Sequence, residues 1–241
     1  AVIRFLPAVD DDKTAFVRVF NHGFQGPGGW YIENSLTTIG QKDPLSEYNS
    51  VLWNSGIEAN KEIARKQKRR LTYFSNIYVV EDKANPQNEG KVFLFRFGKK
   101  IFDKISSMSN PEFEDETEVD VFNLWDGANF KLKIRKVDGF SNYDKSEFMT
   151  SAPLSEDESE MERVFGEQHD LEEFIDQKSF KTYDELKTRL DTVLGNIQTP
   201  AMTAPTSVEN DEAPFDGGTP IPESSTSEDE NLDYFKKLAE A

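Results

Sequence analysis

The sequence predicts a mainly β chain with helices, organised around a small five-stranded barrel. Three observations lead there. Short β-rich runs bounded by turn residues fill roughly the first 150 positions, a helical pattern follows the second of two pairing strands, and strands do not alternate with helices as a parallel sheet requires. Among small barrels the five-stranded oligonucleotide-binding (OB) type fits this order best.

AVIRFL (1–6) and AFVRVF (15–20) read as strands, separated by Pro7 and the turn cluster at Asp10–Lys13. HGFQGPGGWYIE (22–33) holds four glycines and a proline before two aromatics, which predicts a turn opening a strand at Trp30. RRLTYFSNIYVVED (69–82) and KVFLFRFG (91–98) flank a polar loop and should pair as a hairpin. KKIFDKISSM (99–108) spaces Ile101, Phe102 and Ile105 as a short helix does, and PEFEDETEVD (111–120) reads as an acidic loop. NFKLKIRKV (129–137) alternates Phe130, Leu132 and Ile134 with Lys131, Lys133 and Arg135, which predicts one half-buried strand with a cationic face.

Beyond residue 155 the period changes. Ser155 with Glu158, and Thr182 with Glu185, match capping boxes. Val164, Phe165, Leu171, Phe174 and Ile175, then Leu186, Leu190 and Val193, predict two amphipathic helices, the second closed by Gly195. Residues 198–230 are rich in Pro, Thr, Ser, Gly and acid and predict a disordered linker. Residues 231–241 regain apolar side chains suited to folding on a partner. The expected division is a core over 1–197 with an inserted subdomain at about 22–66, then a linker and an acidic tail segment.

The formal net charge of −17 taken alone argues against nucleic acid, but its distribution reverses the argument. Residues 1–150 sum to about −1 and residues 151–241 to −16, while residues 61–100 net +7. That asymmetry suggests a basic binding face followed by an acidic tail. With no cysteine, the chain has no disulfide, thiolate nucleophile or cysteine-held zinc. No apolar run is long enough to span a bilayer, and nothing reads as a signal peptide. Two histidines are too few for most histidine-based metal or triad sites, and the glycines at 23–29 lack the Lys-Ser/Thr of a phosphate loop, so no enzymatic activity is expected.

Binding single strands requires cations that track phosphates and aromatic faces on which bases stack. Lys66, Lys68, Arg69 and Arg70 precede Tyr73 and Phe74, and Arg96 interrupts Phe93, Phe95 and Phe97 on the expected partner strand. Lys131 lies on the cationic strand, and Phe140 and Tyr143 bracket the polar turn that follows it. The competing reading is a core hairpin with a solvated basic end. Arg4, inside an apolar strand, reads either as a paired structural residue or as an edge residue reaching a phosphate.

AVIRFLP (1–7), NHGF (21–24) with WYIE (30–33), NEGKVF with RFGKKI (88–101), and WDGANF followed by GFSNYD (125–144) closely resemble the single-stranded DNA-binding, helix-destabilising proteins of T4-type bacteriophages. The resemblance covers roughly residues 1–195. It implies an OB barrel with an added zinc-binding subdomain, a basic N-terminal arm driving cooperative binding, and an acidic C-terminal tail. It implies sequence-tolerant binding of single-stranded DNA in phage replication, recombination and repair, without ATP, in the host cytoplasm. It implies replication and recombination proteins as partners of the tail, with self-association on DNA. The family's DNA contacts fall on Arg4, Arg69, Tyr73, Phe74, Phe95, Arg96, Phe140 and Tyr143. Its zinc is held by one histidine and three cysteines. His22 matches the histidine, but Ser35, Leu45 and Tyr48 stand near the cysteine positions, so no zinc or other cofactor is expected. Packing by Ile39, Leu45, Val51, Leu52 and Trp53 is expected in its place, and the arm is expected to be missing. An RNA-binding regulator on the same fold and an acidic protein-interaction module are the alternatives.

Overall fold

The computed structural model describes residues 1–195 apart from Asp11 and Glu114; the linker and tail expected at 198–241 lie outside the described residues. Among the described residues the chain divides into two units, residues 1–134 with 143–195, and residues 135–142.

In the larger unit an antiparallel sheet is built from β1 (Val2–Phe5), β2 (Phe16–Gly26), β3 (Gly29–Asn34), β4 (Arg70–Glu81) and β5 (Val92–Phe97), to which the chain later adds two further strands. Between β3 and β4 stand the helices α1 (Pro44–Asn54) and α2 (Glu58–Gln67), and α3 (Lys99–Ser109) follows β5. Then come β6 (Ala128–Lys131), β7 (Arg135–Val137), β8 (Phe140–Asn142), β9 (Glu147–Ser151), α4 (Glu158–Gly166) and α5 (Tyr183–Val193). The strand order is β3-β2-β4-β1-β6-β9, with β5 pairing on β4. The observed sheet has seven strands and is not closed, where a five-stranded barrel was expected.

Two cores follow from the strand periodicity. On one face of β1, β4 and β5 the alternate residues Ile3, Phe5, Tyr73, Ile77, Val79 and Phe97 meet Ile101 and Ile105 of α3. Phe5 is the hub, with the rings of Phe95, Phe97, Phe122, Phe130 and Phe148 at centroid distances of 6.3, 5.6, 5.8, 5.8 and 6.1 Å. The second core unites Phe24 and Tyr31 of the β2–β3 hairpin, Leu36 and Leu45 from the stretch between β3 and β4, and Leu186, Leu190 and Val193 of α5. α5 starts with the expected Thr182–Glu185 capping box, and Gly195 takes the left-handed conformation (φ 78°) after it. Its end sits directly on the hairpin turn, where the Gly28 amide donates to the Val193 carbonyl at 2.9 Å. A Cβ on Gly28 would overlap the Thr192 carbonyl oxygen and come within 2.8 Å of its carbon. Gly28→Ala should therefore cost roughly 1–3 kcal/mol, as overpacking does, read as a lower midpoint in urea; an unchanged midpoint would show that α5 can lift away freely.

Four local expectations are corrected. The strand expected over 129–137 stops at Lys131, because the Ser146 hydroxyl accepts from the Lys133 amide (2.9 Å) and donates to its carbonyl (3.1 Å), replacing the ladder there. The turn-like 139–144 segment instead contributes β8, which pairs with β7 through Asp138-Gly139, both at positive φ (52° and 85°). Such a two-residue turn suits the twist of a hairpin. This hairpin is the described part of the smaller unit. α4 is capped by Asp157, whose side chain accepts from the Ser159 amide, instead of by Ser155. Glu172–Phe174 form a 3-10 turn, capped by Leu171 and Ile175, and do not continue α4.

Candidate nucleic-acid interface

The junction between α2 and β4 concentrates charge. Lys66 lies in the last turn of α2, where a cation complements the helix dipole. Lys68 follows as its C-cap, and Arg69 and Arg70 lead into β4; all four are exposed by residue. Arg69 sits over the Phe20 ring, with Cζ 4.2 Å from its centroid, and burial of part of the guanidinium lowers its pKa from the ordinary value, against the pull of Asp43. A cation over a ring face gains electrostatic attraction that restricts its orientation.

β5 supplies the aromatic row. Phe93, Phe95 and Phe97 share the core-facing side, and exposure grades along it from Phe97 (4%) through half-buried Phe95 to Phe93 (37%). Arg96 is exposed on the opposite side, across from Phe74. β5 pairs only with β4 among the described residues, so solvent reaches the strand from its edge. The next helix opens with Lys99 and Lys100 in its first turn and no acid there. Cations at the positive end of a helix dipole are unfavourable by about 0.3–1 kcal/mol each; Lys99 is offset by Asp103 one turn on, its carboxylate 2.9 Å from Nζ.

Two expected contacts are interior. Arg4 is fully buried (0% exposed); it donates to Asn129 Oδ1 (3.2 Å) and to the carbonyls of Asn123 (2.9 Å), Leu124 (3.3 Å) and Ala152 (2.8 Å). Burial lowers its pKa to about 10, which leaves it charged at neutral pH. Of the two readings of Arg4, this placement is the structural one. Tyr73 is also buried (4%), stacked on Phe102 and Phe97 at 4.1 and 5.5 Å, so it offers no face to a base in this conformation. The reason is register: opposite Phe97, Tyr73 falls on the core side of β4. Phe74 points to the other side and stacks on Phe174 at 4.4 Å, half-buried. Tyr143 is half-buried against the first core, and Lys131 is half-buried across from Glu147. Phe140 is half-buried within the β7–β8 hairpin. The sequence reading missed Arg18, exposed on β2 directly across from Tyr73, although FVRVF already marks it as a polar position on an alternating strand.

The position of the implied zinc does not fit a metal. Leu45 is fully buried in the second core, the Ser35 hydroxyl lies 3.0 Å from that of Thr37, and no group of three or more potential ligands exists among the described residues. His22 instead faces Asp43, with Nε2 3.2 Å from Oδ1 but poorly aligned for a hydrogen bond, and its Nδ1 lies 3.3 Å from the Gln67 carbonyl. Asp43 accepts from the amides of Ser46 (2.9 Å) and Leu36 (3.2 Å), joining the start of α1 to the preceding 3-10 turn at Leu36–Ile39. Burial raises the Asp43 pKa, but His22 and these two amides outweigh it and hold the carboxyl at about 2. The expected apolar replacement is half right: Leu45 is buried and Ile39 packs on the core, whereas Val51 and Trp53 are 70% and 48% exposed and Leu52 is half-buried. Their helix faces solvent on that side, and the polar His22–Asp43 contact occupies the centre.

The gp32 DNA binding protein like family matches residues 1–194. The single-stranded DNA-binding proteins of Enterobacteria phages T2 and T4 are each 46% identical over 202 residues, covering 81% of this chain and 66% of theirs. The single-stranded DNA-binding protein of Enterobacteria phage RB70 is 42% identical over 78 residues, 31% of this chain and 63% of that protein. The chain thus spans just under two thirds of the length of the T2 and T4 relatives.

Proposed function

This chain belongs to the gp32 DNA binding protein like family, and from that premise we propose that it binds single-stranded DNA with little sequence preference along the α2–β4 junction and the edge of β5. The observation that carries the reading is the run of exposed Lys66, Lys68, Arg69 and Arg70 at the head of β4, beside the strand that exposes Phe93 and Arg96. Phosphates bind the cations and unpaired bases stack on the rings, so binding shifts a duplex toward its strands without ATP or covalent chemistry. Arg4 and Tyr73 support this surface from inside; Phe74, Phe95, Lys131, Phe140 and Tyr143 are proposed as contacts from half-buried positions.

We read the open sheet as a variant of the OB barrel, a partly open architecture; the convergence of β1, β5, β6 and β9 on the Phe5 ring supports strong curvature. We place the protein in phage DNA replication, recombination and repair in the host cytoplasm; no helix among the described residues is long and apolar enough to cross a membrane. The residues beyond 197, strongly acidic by sequence, are proposed to recruit replication and recombination proteins.

The test is a titration with matched dT single strands, duplex DNA and RNA oligomers. Tight binding to the DNA single strand over duplex is expected; preference for RNA would move the assignment to an RNA-binding regulator, and no binding to any oligomer would overturn the reading.

A further inference from the structure

We propose that the groove between the β2–β3 hairpin and α2 is a second stacking subsite for single-stranded DNA, in which one base lies on the Trp30 indole while Lys66 and Arg70 hold the flanking phosphates. The inference rests on the single-stranded DNA reading above and extends it to a wall that neither charge nor the motif pattern marked out.

The groove has a cavity volume of about 430 Å³ and is walled by Trp30, Gln25, Gly23, Ile63, Lys66 and Arg70. That volume lies in the ordinary range for small-ligand pockets, on the order of 300–1,000 Å³. Strand alternation explains its wall. Phe24 and Tyr31 turn into the second core, so their neighbours Gln25 and Trp30, paired across β2 and β3, turn outward. Trp30 is 51% exposed. A single exposed apolar residue is common and needs no explanation; a half-exposed indole in one groove with a lysine and an arginine is the pairing that single-strand recognition requires.

The platform is also held firmly from behind. The Trp30 carbonyl accepts from Arg189 of α5 at 2.8 Å, and the end of α5 is locked against Gly26 and Gly28 two to four residues away on the same hairpin. A rigid aromatic surface loses little entropy when a base settles on it. Gln25 is exposed beside it, and its amide can both donate and accept, so it can meet the edge of any base. The other two tryptophans are placed differently. Trp53 already has Arg65 over its ring at 5.4 Å, and Arg65 is engaged by Glu58 (2.8 Å) and Glu62. Trp125 stands on a tight turn whose amides bond Asn123, outside this groove.

The experiment uses tryptophan emission, since the chain has three tryptophans. A Trp53→Phe/Trp125→Phe variant, which leaves Trp30 as the sole indole, is titrated with a dT oligomer, and Trp30→Ala and Trp30→Phe are titrated in parallel by anisotropy of a labelled oligomer. Quenching of the Trp30 emission is expected, with affinity reduced roughly tenfold in Trp30→Ala, restored mostly in Trp30→Phe, and an unchanged dependence on salt because no charge is removed. If the wild-type protein binds the oligomer while Trp30 emission and the Trp30→Ala affinity stay unaltered, the subsite is wrong and the broader reading stands. If the wild-type protein does not bind the oligomer, both fall together.

Discussion

Arg4→Met should destabilise the protein by about 3–5 kcal/mol while leaving the DNA affinity of the folded molecule within roughly twofold. The guanidinium is fully buried and satisfies three backbone carbonyls and the Asn129 side chain, drawing the 123–129 segment and the end of β9 onto β1. A methionine of similar length fills much of the space but leaves those acceptors without donors, and each buried unpaired polar group costs about 1–3 kcal/mol. Gly127 packs so closely on the Arg4 guanidinium that a Cβ there would lie 2.9 Å from Nη2, which leaves the loop little room to adapt. For a domain of this size the loss corresponds to a fall of about 10 °C or more in Tm. Thermal unfolding checks the first half and oligomer binding at low temperature the second. A large affinity loss with normal stability would return Arg4 to the interface.

Asp43→Ala should cost about 2–4 kcal/mol and loosen the segment between β3 and β4. It removes the N-cap of α1, a loss of about 0.5–2 kcal/mol by itself, frees the Leu36 amide, and leaves His22 buried without its partner. The same contact gives an acid limb. The Asp43 carboxyl is held at about 2, below its ordinary 3.8. A carboxylate with a depressed folded pKa contributes stability that is complete above about pH 4 and lost as the pH falls toward 2. Asp43→Asn should flatten that limb. Dialysis against a chelator should change neither Tm nor DNA binding, whereas stoichiometric zinc in the purified protein would overturn this account of the His22–Asp43 contact. Hydrogen exchange in α1 would report the loosening directly.

Much of this fold could be read from residue patterns. β4, β5, α3 and α5 fall within a few residues of the expected bounds because their alternation, helical spacing and capping signals agree with their burial. The run 129–137 misled because its alternation continues past the point where the Ser146 side chain takes over the backbone of Lys133, a contact made by residues 13 apart. Asp138-Gly139 was a legible hairpin signal overlooked beside the aromatics that follow it. The candidate surface divided in the same way. The cations at 66–70 and the graded phenylalanines of β5 are where spacing puts them. Tyr73 and Arg4 turn inward because which face of a strand is buried depends on register with partners distant in sequence, Phe97 in one case and Asn129 in the other. Asp43 stood unnoticed because its role needs His22, 21 positions earlier, to be brought against it by the fold.

The most direct measurement of the central claim is the salt dependence of dT-oligomer affinity for the wild-type protein and for Lys66→Ala, Arg69→Ala and Arg96→Ala. If about four to six phosphates are neutralised, log affinity against log salt should fall with a slope of roughly −3 to −4, and each substitution should weaken binding and make the slope shallower by about 0.7. A flat response in the wild-type protein, or variants whose slopes match it, would contradict a cationic surface that tracks the phosphate backbone.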